Sequence, residues 1–278
     1  MSKILIAGGS GILGTYLTRY LKKNNEITTI SNSSTEADVQ LDLLDVNKVD
    51  SFVEKLIRYD SLIFLVGLAH SKGFGANYDK FNEVNYLTLV NLINSLKKHD
   101  VMPKKIVFAS TISVYGENYY QEIFDEDKQT FPKSFYGITK LKAENYLINN
   151  FKEKSWVLRL APVYSNNFKL NIYRRTKILS INYLVGNGAK KLSLCNMKNF
   201  EYIIEKIVND KIKSSVYNLS DKKDYTYEEI LNISSSGLRI RIPFIIVKIF
   251  YFLSKLINSQ FLQENLIKLL SKSYFLLP

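Results

Sequence analysis

The sequence predicts an α/β fold, a parallel sheet doubly wound by helices with a smaller C-terminal lobe, and three observations predict it. Short apolar runs alternate with stretches of helical spacing through about residue 160. A glycine-rich turn, Gly8-Gly9-Ser10-Gly11-Ile12-Leu13-Gly14, joins the first run to the first helix. Beyond that region the alternation loosens into shorter segments. Alternation of this kind builds right-handed βαβ crossovers and a parallel sheet that takes ligands at the strands' carboxyl ends. With 278 residues and 46% hydrophobic content, the chain can bury a full core, and the expected division is a doubly wound domain over 1–165 and a lobe over 166–278.

Lys3-Ile4-Leu5-Ile6-Ala7 is an apolar run short enough for a buried parallel strand, and Thr15 to Leu21 has helical spacing. The glycines between them let the backbone turn tightly and approach a pyrophosphate, whose charge rests on free N–H groups at the helix N-terminus. Gly8, Ser10, Gly11, Ile12, Leu13 and Gly14 are therefore candidate cofactor contacts, the alternative being a plain turn. Their spacing fits both G-x-G-x-x-G, from Gly9, and G-x-x-G-x-x-G, from Gly8. The next strand, Ile27-Thr28-Thr29-Ile30, runs into Ser31-Asn32-Ser33-Ser34, which carries no acid and no arginine. A site that prefers NAD generally ends this strand in Asp or Glu. Small polar groups such as Asn32 suit a 2′-phosphate, so the pattern leans to NADP while leaving NAD open.

A further strand is expected in Asp60 to His70, and another in Lys105 to Thr111, running into Ile112-Ser113-Val114-Tyr115-Gly116. Ser134 is placed to cap a helix reaching Asn150, and Tyr136-Gly137-Ile138-Thr139-Lys140 puts Tyr136 and Lys140 on one face of it. An ammonium beside a phenol favours the phenolate, so the pair can move a proton to or from a carbinol or carbonyl oxygen near neutral pH. A solvated helix face is the bland alternative in a chain with 19 tyrosines. Lys190 to Leu194, Asn199 to Val208, Val216 to Leu219 and Tyr227 to Ile233 read as short strands and helices of the lobe.

Taken together, these motifs resemble the extended short-chain dehydrogenase/reductases, in particular the NAD-dependent epimerase/dehydratase branch that modifies nucleotide-activated sugars. The resemblance covers about residues 3 to 235 and implies a Rossmann-type NAD(P)-binding domain with a substrate lobe. In that family the Ser or Thr four residues ahead of the Val-Tyr-Gly tyrosine bonds the reacting oxygen, which implies Thr111. Leu41-Asp42-Leu43 resembles the pair that meets the adenine, and Gly67 lies in the strand end under the ribose, with Val66 bulkier than usual. Asn85 is similar to the helix asparagine that braces the site, Pro162 lies in a segment like the one passing the nicotinamide, and Asn171 aligns with an asparagine near the substrate diphosphate. Arg174 and Arg175 offer charge there, or simply an exposed helix face.

The remaining composition mostly excludes. Cys195 is the only cysteine, so an intramolecular disulfide and a four-cysteine metal site are ruled out, and His70 and His99 are too far apart for a zinc motif. No metal is expected, and no G-x-S-x-G marks a hydrolase nucleophile. The net charge of +12 comes from scattered lysines without interleaved aromatics, so nucleic acid is not an expected partner. The chain opens directly into a strand, which implies no signal peptide and a cytoplasmic enzyme. Lys248 and Lys255 interrupt the apolar run from Pro243 to Leu253 and its continuation, too early for a membrane span. That run is expected to pack on the lobe or on a second subunit in a homodimer, with a membrane-surface helix as the alternative. The chain stops at Leu276-Leu277-Pro278, short of where the resemblance implies a further strand and helix, so either the lobe is abbreviated or the reading frame ended early.

The expected mechanism is reversible hydride transfer at a sugar carbon, with Tyr136 exchanging the proton, Thr111 orienting the oxygen, and Lys140 lowering the tyrosine pKa while holding the ribose. An epimerase that recycles bound NAD and a 4-keto reductase that consumes NADPH both fit. A reductase of a non-nucleotide carbonyl and a non-catalytic dinucleotide-binding protein are the other readings.

Overall fold

The computed structural model describes residues 1–32, 36–69, 76–116, 123–178, 181–234 and 239–270. In chain order the first elements are β1 (Lys3–Ala7), α1 (Ile12–Leu21), β2 (Glu26–Ser31), β3 (Val39–Gln40), α2 (Val46–Val53), β4 (Ser61–Phe64) and α3 (Tyr78–Asn82). A π-helical turn, Glu83–Leu87, then leads into α4 (Thr88–Lys98), followed by β5 (Lys105–Thr111), a 3₁₀ turn (Ile112–Tyr115), α5 (Phe135–Phe151) and β6 (Ser155–Leu160). The apolar runs become strands because each is covered on both faces: all of β4, β5 and β6 is buried. Leu5, Leu62, Phe64, Ile106 and Phe108 pack there with Leu89, Leu92 and Leu147 from the covering helices. Each such side chain contributes roughly 1.5–3 kcal/mol by leaving water. Capping fixes the short helices, with Asp45 and Asn77 accepting from the backbone N–H of Lys48 and Lys80, both at 3.1 Å.

Beyond β6 come β7 (Val163–Tyr164), α6 (Leu170–Thr176), β8 (Lys177–Ile178), β9 (Ile181–Val185), β10 (Lys191–Leu192), β11 (Cys195–Asn196), α7 (Met197–Val208) and β12 (Val216–Leu219). The last are β13 (Tyr225–Thr226), α8 (Tyr227–Ser234), β14 (Arg239–Ile242), α9 (Phe244–Leu256) and α10 (Gln260–Leu270). The main sheet is seven-stranded in the order β12-β6-β5-β4-β1-β2-β3, and the pairs β4–β5, β1–β4, β1–β2 and β2–β3 are parallel. Strand order reverses between β1 and β4, the switch point where a doubly wound sheet leaves a crevice at its carboxyl edge.

Chain contacts divide the molecule into a first unit, residues 1–114, 135–159 and 201–217, and a second, residues 115–134, 160–200 and 218–278. This interleaving differs from a single cut after residue 165. The stretch expected to lie wholly in the lobe sends α7 and β12 back to the main sheet, where β12 pairs with β6. A parallel strand needs a helical crossover, and α7 supplies it. In the first unit Lys105 Nζ donates to Val208 O at 2.6 Å and pairs with Asp210 at 2.8 Å, and Trp156 Nε1 donates to Ile212 O at 3.2 Å. The second unit has its own core of Ile172, Leu184, Leu192, Tyr225 and Ile230, with small sheets β14-β9-β8 and β10-β13.

Candidate active site

The glycine turn sits on the carboxyl end of β1. Gly8 has a φ of +87°, which favours glycine, and Gly8 and Gly9 donate to Ile30 O at 2.9 and 3.1 Å. A Cβ on Gly9 would stand 2.6 Å from Thr29 Cβ, and one on Gly14 would meet Gly8 O and lie 2.7 Å from Gly9 Cα. The motif therefore holds α1 tight against the turn, while Gly11, the helix N-cap, has no side chain over the free N–H groups. Ser10 and Ile12 are exposed, and Gly11 and Leu13 are half-buried, around that helix start. This cradle fits a dinucleotide pyrophosphate, with Gly8 to Gly14 as the segment to hold it.

At the end of β2, Ser31 Oγ and Ser10 Oγ share a hydrogen bond of 2.6 Å, and Asn32 is exposed; Ser33 and Ser34 lie outside the described residues. The sequence reading of this strand missed Asp38. Its carboxylate accepts from Thr29 N and Oγ1, both at 2.8 Å, bringing an acid against the strand from the loop that follows. Burial raises the Asp38 pKa and the Thr29 hydrogen bonds lower it, with a net shift downward. Asp42 caps its own turn by accepting from Leu44 N at 2.9 Å, and Leu43 is buried with its carbonyl held by Asn91 Nδ2 at 3.0 Å.

Gly67 lets Lys140 and Asn85 come close to the backbone, since a Cβ there would be 3.2 Å from Lys140 Nζ and 3.5 Å from Asn85 Oδ1. Asn85, fully buried in the π-helical turn, accepts from Leu68 N at 2.6 Å and donates to Leu68 O at 3.3 Å and Thr139 Oγ1 at 3.0 Å. It thus ties the chain after β4 to α5, and a π-turn is a frequent marker of functional positions.

Thr111, buried at the end of β5, hydrogen-bonds the Tyr136 hydroxyl. The structure brings these two sequence-predicted residues together. Burial pushes the Tyr136 phenol up to about 12, and the Thr111 bond works in the opposite direction. Lys140 lies one turn along α5, its Nζ donating to Ala109 O at 2.9 Å and Val66 O at 3.2 Å and sitting 4.6 Å from the Phe108 ring centre. Burial brings its ammonium down to about 7, with the Glu144 charge working upward. Burial is thus the largest influence on the Tyr136 phenol, and the Lys140 ammonium is engaged by two backbone carbonyls.

Glu144 and Arg159 also escaped the sequence reading. Glu144 is fully buried, accepts from Arg159 Nη2 at 2.8 Å and Nε at 3.1 Å, and is hydrogen-bonded by Ser110 Oγ. One turn beyond Lys140, it links α5 to β5 and β6. A heptad-like count finds no apolar role for it, but its partners lie 34 and 15 residues away.

Pro162 and Asn171 belong to the second unit. Pro162 O accepts from Cys195 N at 3.1 Å. Asn171 Nδ2 donates to Val163 O at 2.8 Å, so its side chain is engaged with its own unit's backbone, and its carbonyl accepts from Arg175 Nη1 at 2.7 Å. Arg174 is exposed and Arg175 half-buried. A polar cluster there went unread: Asp221 accepts from Tyr164 and Tyr225 hydroxyls, Asn196 N and Asn199 Nδ2, each at 2.7 Å. Cys195 is buried, which pushes its thiol up. His99 ends α4 and bonds Asp50 at 3.0 Å; His70 lies outside the described residues.

Residues 4–210 match the model of the NAD dependent epimerase/dehydratase family. The chain is 24% identical over 249 residues to the N-acetyl-alpha-D-glucosaminyl-diphospho-ditrans,octacis-undecaprenol 4-epimerase of Escherichia coli O157:H7, covering 86% of this chain and 73% of that one. It is 29% identical over 166 residues to UDP-glucose 4-epimerase 3 of Oryza sativa subsp. japonica, covering 52% of this chain but only 43% of that one. Among solved structures, UDP-N-acetylglucosamine 4-epimerase from Bacillus cereus superposes with a TM-score of 0.72 at 18% identity over 100% of this chain and 90% of that one. UDP-glucuronic acid 4-epimerase from the same organism, in complex with NAD, gives 0.70 at 20% identity over 87% of each chain. With three quarters of its length matched and the sheet, glycine turn and Tyr136–Lys140 helix in place, the chain belongs to the NAD dependent epimerase/dehydratase family.

Proposed function

We propose that this protein epimerises a diphosphate-linked sugar at a hydroxyl-bearing carbon, using bound NAD and the residues Thr111, Tyr136 and Lys140. The observation that carries the reading is the Thr111–Tyr136 hydrogen bond at the carboxyl end of β5, in the same unit as the glycine cradle on β1. Bound NAD would supply a reversible hydride acceptor, so that a hydride taken from one face of the sugar carbon can be given back to the other. Tyr136 as phenolate takes the hydroxyl proton as the hydride leaves the sugar carbon, and gives that proton back to the carbonyl oxygen as the hydride returns. Thr111 holds that oxygen. Lys140, whose ammonium burial brings down to about 7, is the cation in this reading that favours the phenolate when Tyr136 is the base and that holds the nicotinamide ribose. Gly8 to Gly14 hold the pyrophosphate, with Asp42, Leu43 and Gly67 on the adenosine side and Pro162 on the nicotinamide side.

The carrier beyond the sugar diphosphate is a nucleoside in this reading, in keeping with the rice relative; the E. coli relative acts on an undecaprenol-linked sugar. The reading extends to a role in surface polysaccharide synthesis, with the undecaprenol-linked sugar of the E. coli relative in its support. The absence of an acid at Ser31 and Asn32 favours a second reading, a 4-keto reductase that consumes NADPH.

The test is mass spectrometry of small molecules released on denaturation, together with NMR of UDP-N-acetylglucosamine and UDP-glucose incubated with the purified protein. Stoichiometric NAD and a new C4 epimer, both expected, sustain the reading. A chain that arrives empty and binds NADPH instead of NADH moves the assignment to the reductase, and binding of neither ends both.

A further inference from the structure

The helix α9 is apolar nearly all round, yet it is not buried. Along its length only Val247 and Ser254 are buried, with Tyr251 partly so, a stripe one residue wide packed against Tyr183, Val185 and Leu270. At about 100° per residue, Ile245, Ile249, Phe252 and Leu256 form the diametrically opposite face, and they are 61%, 52%, 62% and 68% exposed. Phe250 and Leu253 widen that face, at 57% and 45%. Scattered exposed apolar residues need no explanation, but a contiguous strip along a helix marks a surface that meets an apolar partner.

Charge indicates which partner. Lys248 and Lys255, seven residues apart, lie together along one flank of the apolar face, above Phe244 and Tyr251 at 5.3 and 4.8 Å. No aspartate or glutamate occurs between Glu229 and Glu264, a span that also contains Arg239 and Arg241, and the chain carries a net +12. At about 1.5 Å per residue, this helix of 13 residues is too short to cross a hydrocarbon core of roughly 30 Å. An apolar face with lysines along its border is instead what a helix lying in the headgroup region of an anionic bilayer presents. We propose that α9 docks the protein on an anionic membrane surface, its Ile245–Leu256 face immersed and Lys248 and Lys255 at the phosphates. The proposal stands on the helix and not on the substrate reading, so either can fail alone.

The experiment is co-sedimentation of the full chain with vesicles of phosphatidylcholine, or of phosphatidylcholine and phosphatidylglycerol mixed, at low and high salt. Wild type is expected on the anionic vesicles and to leave them as salt rises. Ile249→Glu/Phe252→Glu is expected to weaken binding at least tenfold, and Lys248→Gln/Lys255→Gln by about fivefold per lysine. Ile57→Glu, at an exposed apolar position of the other unit, is expected to bind as wild type. Wild type left in the supernatant overturns the proposal, as does binding that both double variants leave unchanged. A dimer in light scattering that Ile249→Glu/Phe252→Glu dissociates, without vesicle binding, also overturns it and assigns the face to a second copy. Should the apolar variant not fold by circular dichroism, the lysine variant, which alters exposed side chains only, decides.

Discussion

At the scale of single residues, the site is built on two titratable groups on one helix, Tyr136 half-buried and Lys140 buried, and each yields a prediction. Tyr136→Phe removes the proton and keeps the ring, so turnover should fall about 10²–10⁴-fold while dinucleotide binding, followed by fluorescence titration, is retained. Lys140 is buried, and its ammonium is brought from 10.5 down to about 7. An unfolded lysine keeps its proton over that interval, so the unfolded chain binds more protons there and stability rises with pH. The cost of the buried cation is full below about 7 and is relieved as pH rises toward 10. Urea unfolding at pH 6.5 and 9.5 should show this rise in wild type, at most about 1.4 kcal/mol per pH unit, and lose it in Lys140→Met. The pair Glu144–Arg159 is a second test, since Glu144→Gln leaves a buried guanidinium without its counter-charge and should cost about 3–5 kcal/mol. Replacing both residues by Met should recover most of that loss. Tyr136 and Lys140 stand out in the sequence because they are four residues apart, whereas Thr111 enters only through the family resemblance. Glu144, Arg159 and Asp38 were not, because an isolated charge reads as surface until its distant partner is known.

At the scale of elements, the β1–turn–α1 unit shows why one glycine is not equivalent to another. Gly11→Ala places a Cβ only 3.3 Å from Gly8 O, whereas Gly14→Ala drives one into the Gly8 carbonyl and to 2.7 Å from Gly9 Cα. Gly14 belongs to α1, so relieving the clash must lift the helix from the turn. Gly14→Ala should therefore lose about 1–3 kcal/mol and most dinucleotide affinity, while Gly11→Ala melts within a few degrees of wild type; calorimetry with and without NAD checks both. This element was plain in the sequence because strand run, glycines and helix follow one another without a gap. The π-helical turn at Glu83–Leu87 was not, because the partners Asn85 meets from it, Leu68 and Thr139, lie 17 and 54 residues away.

At the scale of the whole molecule, the sequence revealed the class of the sheet but not where it ends. Val216 to Leu219 has the length and composition of a lobe strand, and only the pairing of β12 with β6 makes it the sheet's edge. The consequence is that the first unit cannot be cut from the chain at residue 165. Such a fragment would lack α7 and β12, leaving the buried strand β6 as an open edge, a template for pairing with other chains. It would also strip Lys105 of Val208 O and Asp210, Trp156 Nε1 of Ile212 O, and Val157 N of Ser215 O at 3.0 Å. Opened to water, these groups forfeit about 0.5–1.5 kcal/mol each, and the apolar burial that Ile204 and Ile207 of α7 provide is lost with them. Residues 1–165 expressed alone should therefore aggregate or melt without a cooperative transition in circular dichroism, where the full chain melts cooperatively. A sharp, reversible melt of the fragment would show instead that α7 and β12 decorate a sheet already complete without them.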